Sequence, residues 1–150
     1  FYSVAQHSLL VCELAEAKHG VGAISHCALF HDAHETYVHD VPRPLKEMLP
    51  DYVVIERHVQ DVVSKALSLP WSDHVRFAVS ELDEMAMHIE AEALLFRRYD
   101  WMKPPNPLWT RSRQGRRLIQ AGKKGMPPEE ARAALLAKIR AYGHEAKEPS

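Results

Sequence analysis

Histidines and carboxylates stand at three separated points of the chain, each within a stretch whose pattern predicts a helix. They are His7, the adjacent pair His31 and Asp32, and Asp83. Their neighbours are apolar, and a buried imidazole or carboxylate is costly unless it is paired or binds a cation. Two imidazoles and two carboxylates would form a mixed nitrogen and oxygen ligand set, which suits Mn, Fe, Co, Ni or Zn. These residue types therefore allow a metal site with coordination positions left for water and substrate.

The adjacent pair His31 and Asp32 limits where such an ion could lie. Consecutive residues are about 100° apart around a helix axis, so both reach one ion only if it lies over the seam between them. His7 and Asp83 would then come from neighbouring helices, as the core of a bundle allows. Spacing alone leaves a second interpretation open, because a single helical histidine is more often exposed or hydrogen-bonded than a metal ligand.

The elements that would position these residues are helices, because apolar residues recur at helical spacing along almost the whole chain. Ser3 and Gln6 predict a capping box at the start of a helix that ends near Gly20, with Val4 on its apolar stripe. A short turn is expected over residues 45–49. We predict an all-α fold of about five to seven helices, of which the further long ones cover about residues 23–38, 52–69, 74–99 and 128–142.

Length and composition suit one domain over residues 1–150. The chain has 150 residues, of which 46% are apolar in the set AVILMFWYC and 26% are charged. This length can bury a sizeable core, and the apolar fraction excludes a disordered chain. We expect a frayed tail over about residues 143–150 and, since Phe1 is not an initiator methionine, a natural start upstream of it.

Charge and cysteine content indicate the setting of the protein. The formal net charge is −1, which argues against a nucleic-acid coat protein. The sequence contains no apolar run of about 18 residues, so it predicts no membrane span. The cysteines, Cys12 and Cys27, provide no disulfide framework, so we expect a cytoplasmic protein. Seven basic residues and no acid lie between 103 and 124, a segment that is either a solvated face or an attractant for an anionic nucleotide or a partner chain.

Three segments together resemble the HD-domain metal-dependent phosphohydrolases. Residues 2–8 read YSVAQHS and residues 29–35 read LFHDAHE. Residues 39–46 read HDVPRPLK and are similar to the branch that contains bacterial 5′-deoxynucleotidases. Residues 81–83, ELD, fit the family's last ligand, an aspartate on a later helix. The resemblance covers about residues 2–95 and implies a compact HD-domain helical bundle.

The resemblance also implies roles for individual residues. Glu35 would orient or deprotonate the attacking water, and it lies on the same predicted helix face as the ligand pair. Asp40 matches a position that faces the water or the sugar hydroxyl, although an ordinary turn residue is equally compatible with the sequence. One divalent cation (Mn, Co, Ni, Fe, Zn or Mg) would be bound by His7, His31, Asp32 and Asp83.

Two basic residues flank the predicted cleft. Arg43 could hold a phosphate by bidentate donation and Lys46 as a point charge, and both could equally be solvated. His34 and His39 are read as cleft-lining or surface residues rather than as ligands.

The function that the resemblance implies is hydrolysis of a phosphate from a nucleotide in nucleotide metabolism. The expected substrate is a deoxynucleoside 5′-monophosphate, and the expected partner is this small molecule rather than a membrane or a nucleic acid. A deoxynucleoside triphosphate triphosphohydrolase of the same fold and a non-catalytic nucleotide-binding module are the alternatives. Relatives in this branch are often dimers, which implies a homodimer.

Overall fold

The computed structural model describes residues 2–94 and 125–145. Within these two ranges all regular secondary structure is helical, which confirms the all-α prediction. The basic segment 103–124 and the predicted end of the fourth long helix, residues 95–99, lie outside the described residues. The seven described helices are α1 (Val4–His19), α2 (Ala23–Leu29), α3 (Glu35–Val38), α4 (Arg43–Lys46), α5 (Pro50–Ala66), α6 (Asp73–Leu94) and α7 (Pro128–Ala141).

The core forms where three helices meet. Helix α1 packs against α2, α6 and α7, and α2 packs against α6. Burial of these apolar side chains is the main force that fixes the three helices relative to one another. The core cluster consists of Leu10, Val11, Leu14, Ala15, Cys27, Ala28, Val75, Val79, Leu82, Met85, Ala86 and Ile89.

The ends of α1 follow from local chemistry that the sequence makes visible. The backbone N–H of Gln6 donates to Ser3 Oγ at 3.2 Å, so Ser3 caps the helix as predicted. The helix ends at Gly20, whose φ of +81° lies in the left-handed region that glycine adopts without a steric penalty. The cap places His7 in the first turn of α1, with its backbone N–H bonded to the Ser3 carbonyl.

The prediction of one helix over residues 23–38 is wrong. Helix α2 ends at Leu29, residues 30–34 form consecutive turns, and α3 begins at Glu35. Phe30 leaves the helical region with φ −116° and ψ 14°. Backbone hydrogen bonds between residues three positions apart, from Ala33 N–H to Phe30 O and from Glu35 N–H to Asp32 O, form the tight turns that follow. His31 and Asp32 are therefore turn residues, to which the spacing of 100° per residue does not apply.

Helix α5 is much less buried than its apolar pattern predicted. Ile55 and Val62, expected on the buried face, have 54% and 53% of their surface exposed, and Val4 of α1 has 66% exposed. Helix α5 packs against the short helices α3 and α4. Its face toward α1 and α7 borders a cavity of about 610 Å³, so the apolar stripe lines an open space rather than a packed core.

The chain after α7 packs back onto α2. The ring of His26 stacks on Tyr142 with centroids 5.2 Å apart, and its Nε2 lies 2.8 Å from His144 Nε2. Residues 146–150 of the expected tail lie outside the described residues. Among the helices of 2–94 and 125–145, none has the length and apolar character needed to cross a membrane.

Candidate metal centre

Four side chains from three parts of the chain meet at one point. His7 comes from α1, His31 and Asp32 from the turn after α2, and Asp83 from α6. The two imidazole Nε2 atoms lie 3.3 Å apart, and Asp32 Oδ2 lies 3.0 Å from that of His31 and 3.5 Å from that of His7. Asp83 Oδ1 lies 3.2 Å from His7 Nε2 and 3.6 Å from His31 Nε2. The structure thus brings the four predicted ligands together.

This cluster could hold a metal ion. The ligand atoms of His7, His31 and Asp32 all lie within 4.8 Å of one another, and Asp83 reaches the same two Nε2 atoms. Imidazole nitrogen and carboxylate oxygen are the donors that divalent transition metals accept. That an ion binds there, and which ion it is, stay predictions.

Exposure is graded across the cluster. The side chain of His31 is 8% exposed and that of His7 is 17% exposed, whereas Asp32 and Asp83 are 24% and 47% exposed. The cluster is therefore closed on the imidazole side and open toward Asp83.

A backbone carbonyl fixes the ring of His31. Its Nδ1 lies 2.8 Å from the carbonyl oxygen of Ala28, and a carbonyl only accepts hydrogen bonds, so Nδ1 carries the proton. In the neutral ring the lone pair is then on Nε2, which faces the cluster. His31 is oriented as a metal ligand would be.

The cluster is strongly polarised without a cation. Burial lowers the pKa of both imidazoles, but hydrogen bonds to Asp32 and Asp83 raise it to about 12 for His7, where Glu90 also contributes, and to about 9 for His31. Burial raises the pKa of Asp83, yet the two imidazoles lower it to about 2, and they hold the pKa of Asp32 well below its usual range. The carboxylates therefore favour the protonated imidazoles, and a cation at the cluster would compete with those protons.

Metal binding is therefore expected to release protons and to weaken as the pH falls. The carboxylates raise the pKa of both imidazoles, and each ring must be neutral to bind an ion, so the apparent Kd for Mn²⁺ should rise by roughly tenfold or more per pH unit between pH 8 and pH 6. Isothermal titration in buffers of different ionisation enthalpy measures both the affinity and the protons released. An affinity that does not change with pH would contradict the expectation.

Glu35, the proposed water-activating residue, is the first residue of α3 and is half-buried. Burial and the charges of Asp32 and Asp40 raise its pKa to about 7, while Lys46 and His31 act in the opposite direction. Its backbone N–H donates to Asp32 O at 2.9 Å, which ties it directly to the ligand pair. The charges of Asp32 and His31 act on the predicted catalytic carboxylate, which therefore lies near the cluster.

Asp40 is exposed and follows a backbone position of unusual geometry. His39 has φ +62°, a region that residues other than glycine seldom occupy. The Tyr52 hydroxyl donates to the His39 carbonyl at 2.6 Å and so links this turn to α5. The charge of Asp40 acts on Glu35, which places the two predicted catalytic carboxylates near each other.

Of the two predicted phosphate-binding residues, Lys46 forms a salt bridge. Lys46 Nζ lies 2.6 Å from Glu56 Oε1, so its charge is already paired. Glu56 also lies 3.4 Å from the Tyr52 hydroxyl and 3.8 Å from His34 Nε2. His34 is buried, and its Nδ1 lacks a hydrogen-bond partner among the described residues. The side chain of Arg43 lies outside what the structure describes.

Sequence reasoning missed the partner of His7. His7 Nδ1 lies 2.7 Å from Glu90 Oε1, and the Tyr2 hydroxyl donates to the same oxygen at 2.8 Å. A signal was present, because Glu90 follows Asp83 by seven residues, or two helical turns, and so shares its face of α6. Tyr2 belongs to the segment 2–8 that carries the resemblance, where it received no role.

The described fold and cluster define a class: an all-α bundle with a His–Asp group that could hold a metal ion. No family model matches the chain. No solved structure matches it. A protein of Escherichia coli strain K12, the uncharacterized protein YfdR, is 41% identical over 70 residues. The match covers 47% of this chain and 36% of the length of YfdR.

Proposed function

We propose that the protein is a metal-dependent phosphohydrolase of the HD-domain type that acts on nucleotides. The observation that carries the proposal is the convergence of His7, His31, Asp32 and Asp83. Their four donor atoms make contacts of 3.0 to 3.6 Å, although the residues come from three separated parts of the chain. A group of one buried imidazole, one mostly buried imidazole and two partly exposed carboxylates is costly to assemble unless it serves a function such as ion binding.

The chemistry follows from the ion and from the residues around it. A divalent ion supplies Lewis-acid activation of water and of a phosphoryl oxygen when it is bound. Glu35 accepts a proton from the attacking water, because its carboxylate lies beside the ligand pair and its pKa of about 7 allows both protonation states near neutral pH. The charge of Asp40, an exposed residue, acts on Glu35 and favours its protonated form.

The cavity beside the cluster supports a small organic substrate. Its volume is about 610 Å³, within the range of roughly 300 to 1,000 Å³ typical of ligand sites. Asp32 borders both the cavity and the cluster, and most of the other lining residues are apolar. A phosphate at the cluster, with the flat face of a base against the apolar wall of the cavity, would suit this arrangement.

A deoxynucleoside 5′-monophosphate is the substrate we propose, and it rests on the resemblance of residues 39–46 to the deoxynucleotidase branch. The pairing of Lys46 with Glu56 leaves this ammonium group less available to a polyphosphate, which favours a monophosphate over a triphosphate. The homodimer implied by the resemblance stays a prediction, as does the cytoplasmic location expected from the cysteine content.

A screen of nucleotide mono-, di- and triphosphates with Mn²⁺, Co²⁺, Ni²⁺ and Mg²⁺ tests the proposal. We expect orthophosphate from deoxynucleoside monophosphates and loss of activity with a chelator, restored by the metal. Release of tripolyphosphate would instead show a triphosphohydrolase. Metal binding and nucleotide binding without any product would overturn the enzymatic proposal and leave a binding module.

A further inference from the structure

The imidazole of His7 has contacts on both of its edges. Nε2 faces His31, Asp32 and Asp83, whereas Nδ1, on the other edge of the ring, lies 2.7 Å from Glu90 Oε1. Glu90 therefore contacts His7 from the side away from the cluster. Its carboxylate is 17% exposed and accepts a second hydrogen bond from the Tyr2 hydroxyl at 2.8 Å.

Two donors on one carboxylate oxygen hold Glu90 in its acceptor role. An ionised carboxylate has only acceptor sites, so the atom that Glu90 meets on His7 must be an N–H. With the proton on Nδ1, the neutral ring has its lone pair on Nε2, at the cluster. Glu90 acts on His7 as the Ala28 carbonyl acts on His31, and both rings present Nε2 to the same point.

We propose that Glu90, held by Tyr2, is a positioning residue that fixes the ring orientation and the Nδ1–H tautomer of His7 for metal binding. The inference rests on the proposed metal centre but not on hydrolysis. A carboxylate behind a ligating imidazole also makes the ring a stronger donor, and loss of such a partner typically weakens metal binding by about 10- to 100-fold. Glu90 touches neither the ion nor the substrate in this role.

The hydrogen bond between Tyr2 and Glu90 joins two distant parts of the chain. Tyr2 precedes α1 and Glu90 lies near the end of α6, so their hydrogen bond joins residues 88 positions apart. Because Ser3 caps α1, the same short segment sets the start of the helix and supports the residue behind His7. Removal of the Tyr2 hydroxyl should therefore weaken metal binding by less than removal of the Glu90 carboxylate, which contacts the ring directly.

The experiment compares Mn²⁺ affinity in Glu90→Ala, Glu90→Gln, Tyr2→Phe and wild type, with Glu81→Gln as the charge-matched control. Glu81 lies on the same helix, and its half-exposed carboxylate forms a salt bridge with Lys18 at 3.4 Å, so its loss should change the Kd by less than about twofold. We expect Glu90→Ala to raise the Kd by about 10- to 100-fold. Glu90→Gln should recover part of that loss, because an amide oxygen can still accept from Nδ1–H.

A second readout separates positioning from a general loss of structure. In the metal-free protein, the Nδ1 proton that His7 donates to Glu90 should appear in ¹⁵N–¹H spectra as a slowly exchanging signal in wild type and in Glu81→Gln, whether the ring carries one proton or two. It should be lost in Glu90→Ala. If Glu90→Ala fails to fold, the same measurements on Glu90→Gln and Tyr2→Phe test the proposal, because both substitutions retain the shape of the side chain.

The outcomes separate this inference from the proposed function. An Mn²⁺ affinity of Glu90→Ala within about twofold of the control, or a His7 proton signal that is unchanged, overturns the role of Glu90 whatever the enzyme does. Weakened binding in Glu90→Ala, with wild type that binds Mn²⁺ but hydrolyses no nucleotide, supports the role of Glu90 and overturns the hydrolase. Wild type that binds no metal overturns both.

Discussion

Asp32→Ala is expected to weaken metal binding by about 100-fold or more and to abolish hydrolysis. Asp32 Oδ2 lies within 3.5 Å of both imidazole Nε2 atoms, so it is the carboxylate closest to the centre of the cluster. Its removal takes away a direct ligand, which should cost more than the roughly 10- to 100-fold typical of a residue behind a ligand. Titration with Mn²⁺ and elemental analysis after purification without a chelator measure the loss.

Asp61→Ala is the matched control for Asp32→Ala. Asp61 is an exposed carboxylate on α5, so its removal changes the net charge by the same amount without touching the cluster. Metal content and activity should stay at the wild-type level in this variant. If Asp32→Ala retained a stoichiometric ion, or if both variants lost it equally, the assignment of Asp32 as a ligand would fail.

Asp32→Ala also tests the electrostatics of the metal-free cluster. The carboxylate raises the pKa of both His7 and His31, so its removal should lower both. Fewer protons would then compete with the ion at neutral pH. The affinity measured for the variant should consequently depend less on pH than that of wild type, even though it is weaker.

Local signals in the sequence predicted the ends of elements better than their burial. The cap at Ser3 and the stop at Gly20 depend on side-chain and backbone chemistry within a few residues, and both appear in the structure. No proline or glycine marks the end of the helix at Phe30, and the helical spacing of apolar residues continues past it. The sequence therefore predicted one helix where the structure has two. The burial of α5 depended on which helix packs against it, which periodicity does not encode.

In the candidate site, too, the sequence predicts some residues and not others. His7, His31, Asp32 and Asp83 were chosen from residue types and a resemblance, and the structure brings their donor atoms together. Glu90 was missed because its role depends on a contact with a residue 83 positions away.

The pairing of Lys46 with Glu56 shows a different limit of sequence reasoning. Both residues are charged and lie ten positions apart in different helices, so nothing in their spacing predicts a contact. The contact weakens the case for Lys46 as a phosphate-binding residue, because a paired ammonium group attracts phosphate less strongly than a free one. Turn and helix-to-helix contacts of this kind become visible only when the chain is folded.

Glu35→Gln is expected to lower kcat by about 10²- to 10⁴-fold while leaving the metal content unchanged. The amide keeps the shape of the side chain but accepts no proton from water, and that range is typical of the loss of a general base. Retained metal distinguishes this variant from Asp32→Ala, because Glu35 lies beside the ligands rather than among them. Glu47→Gln, which changes an exposed carboxylate in the turn after α4, is the matched control and should keep full activity.

The pH profile gives Glu35 a signature that a structural role would not produce. A general base must be ionised, so the rate should rise with pH through the pKa of Glu35, which is about 7 in the metal-free chain. A bound cation favours the ionised carboxylate and moves that pKa downward, so the acidic limb should lie at or below pH 7. At Mn²⁺ concentrations that keep the metal site saturated over the whole pH range, Glu35→Gln should lose this limb. A variant that kept both the limb and the rate would show that another group accepts the proton.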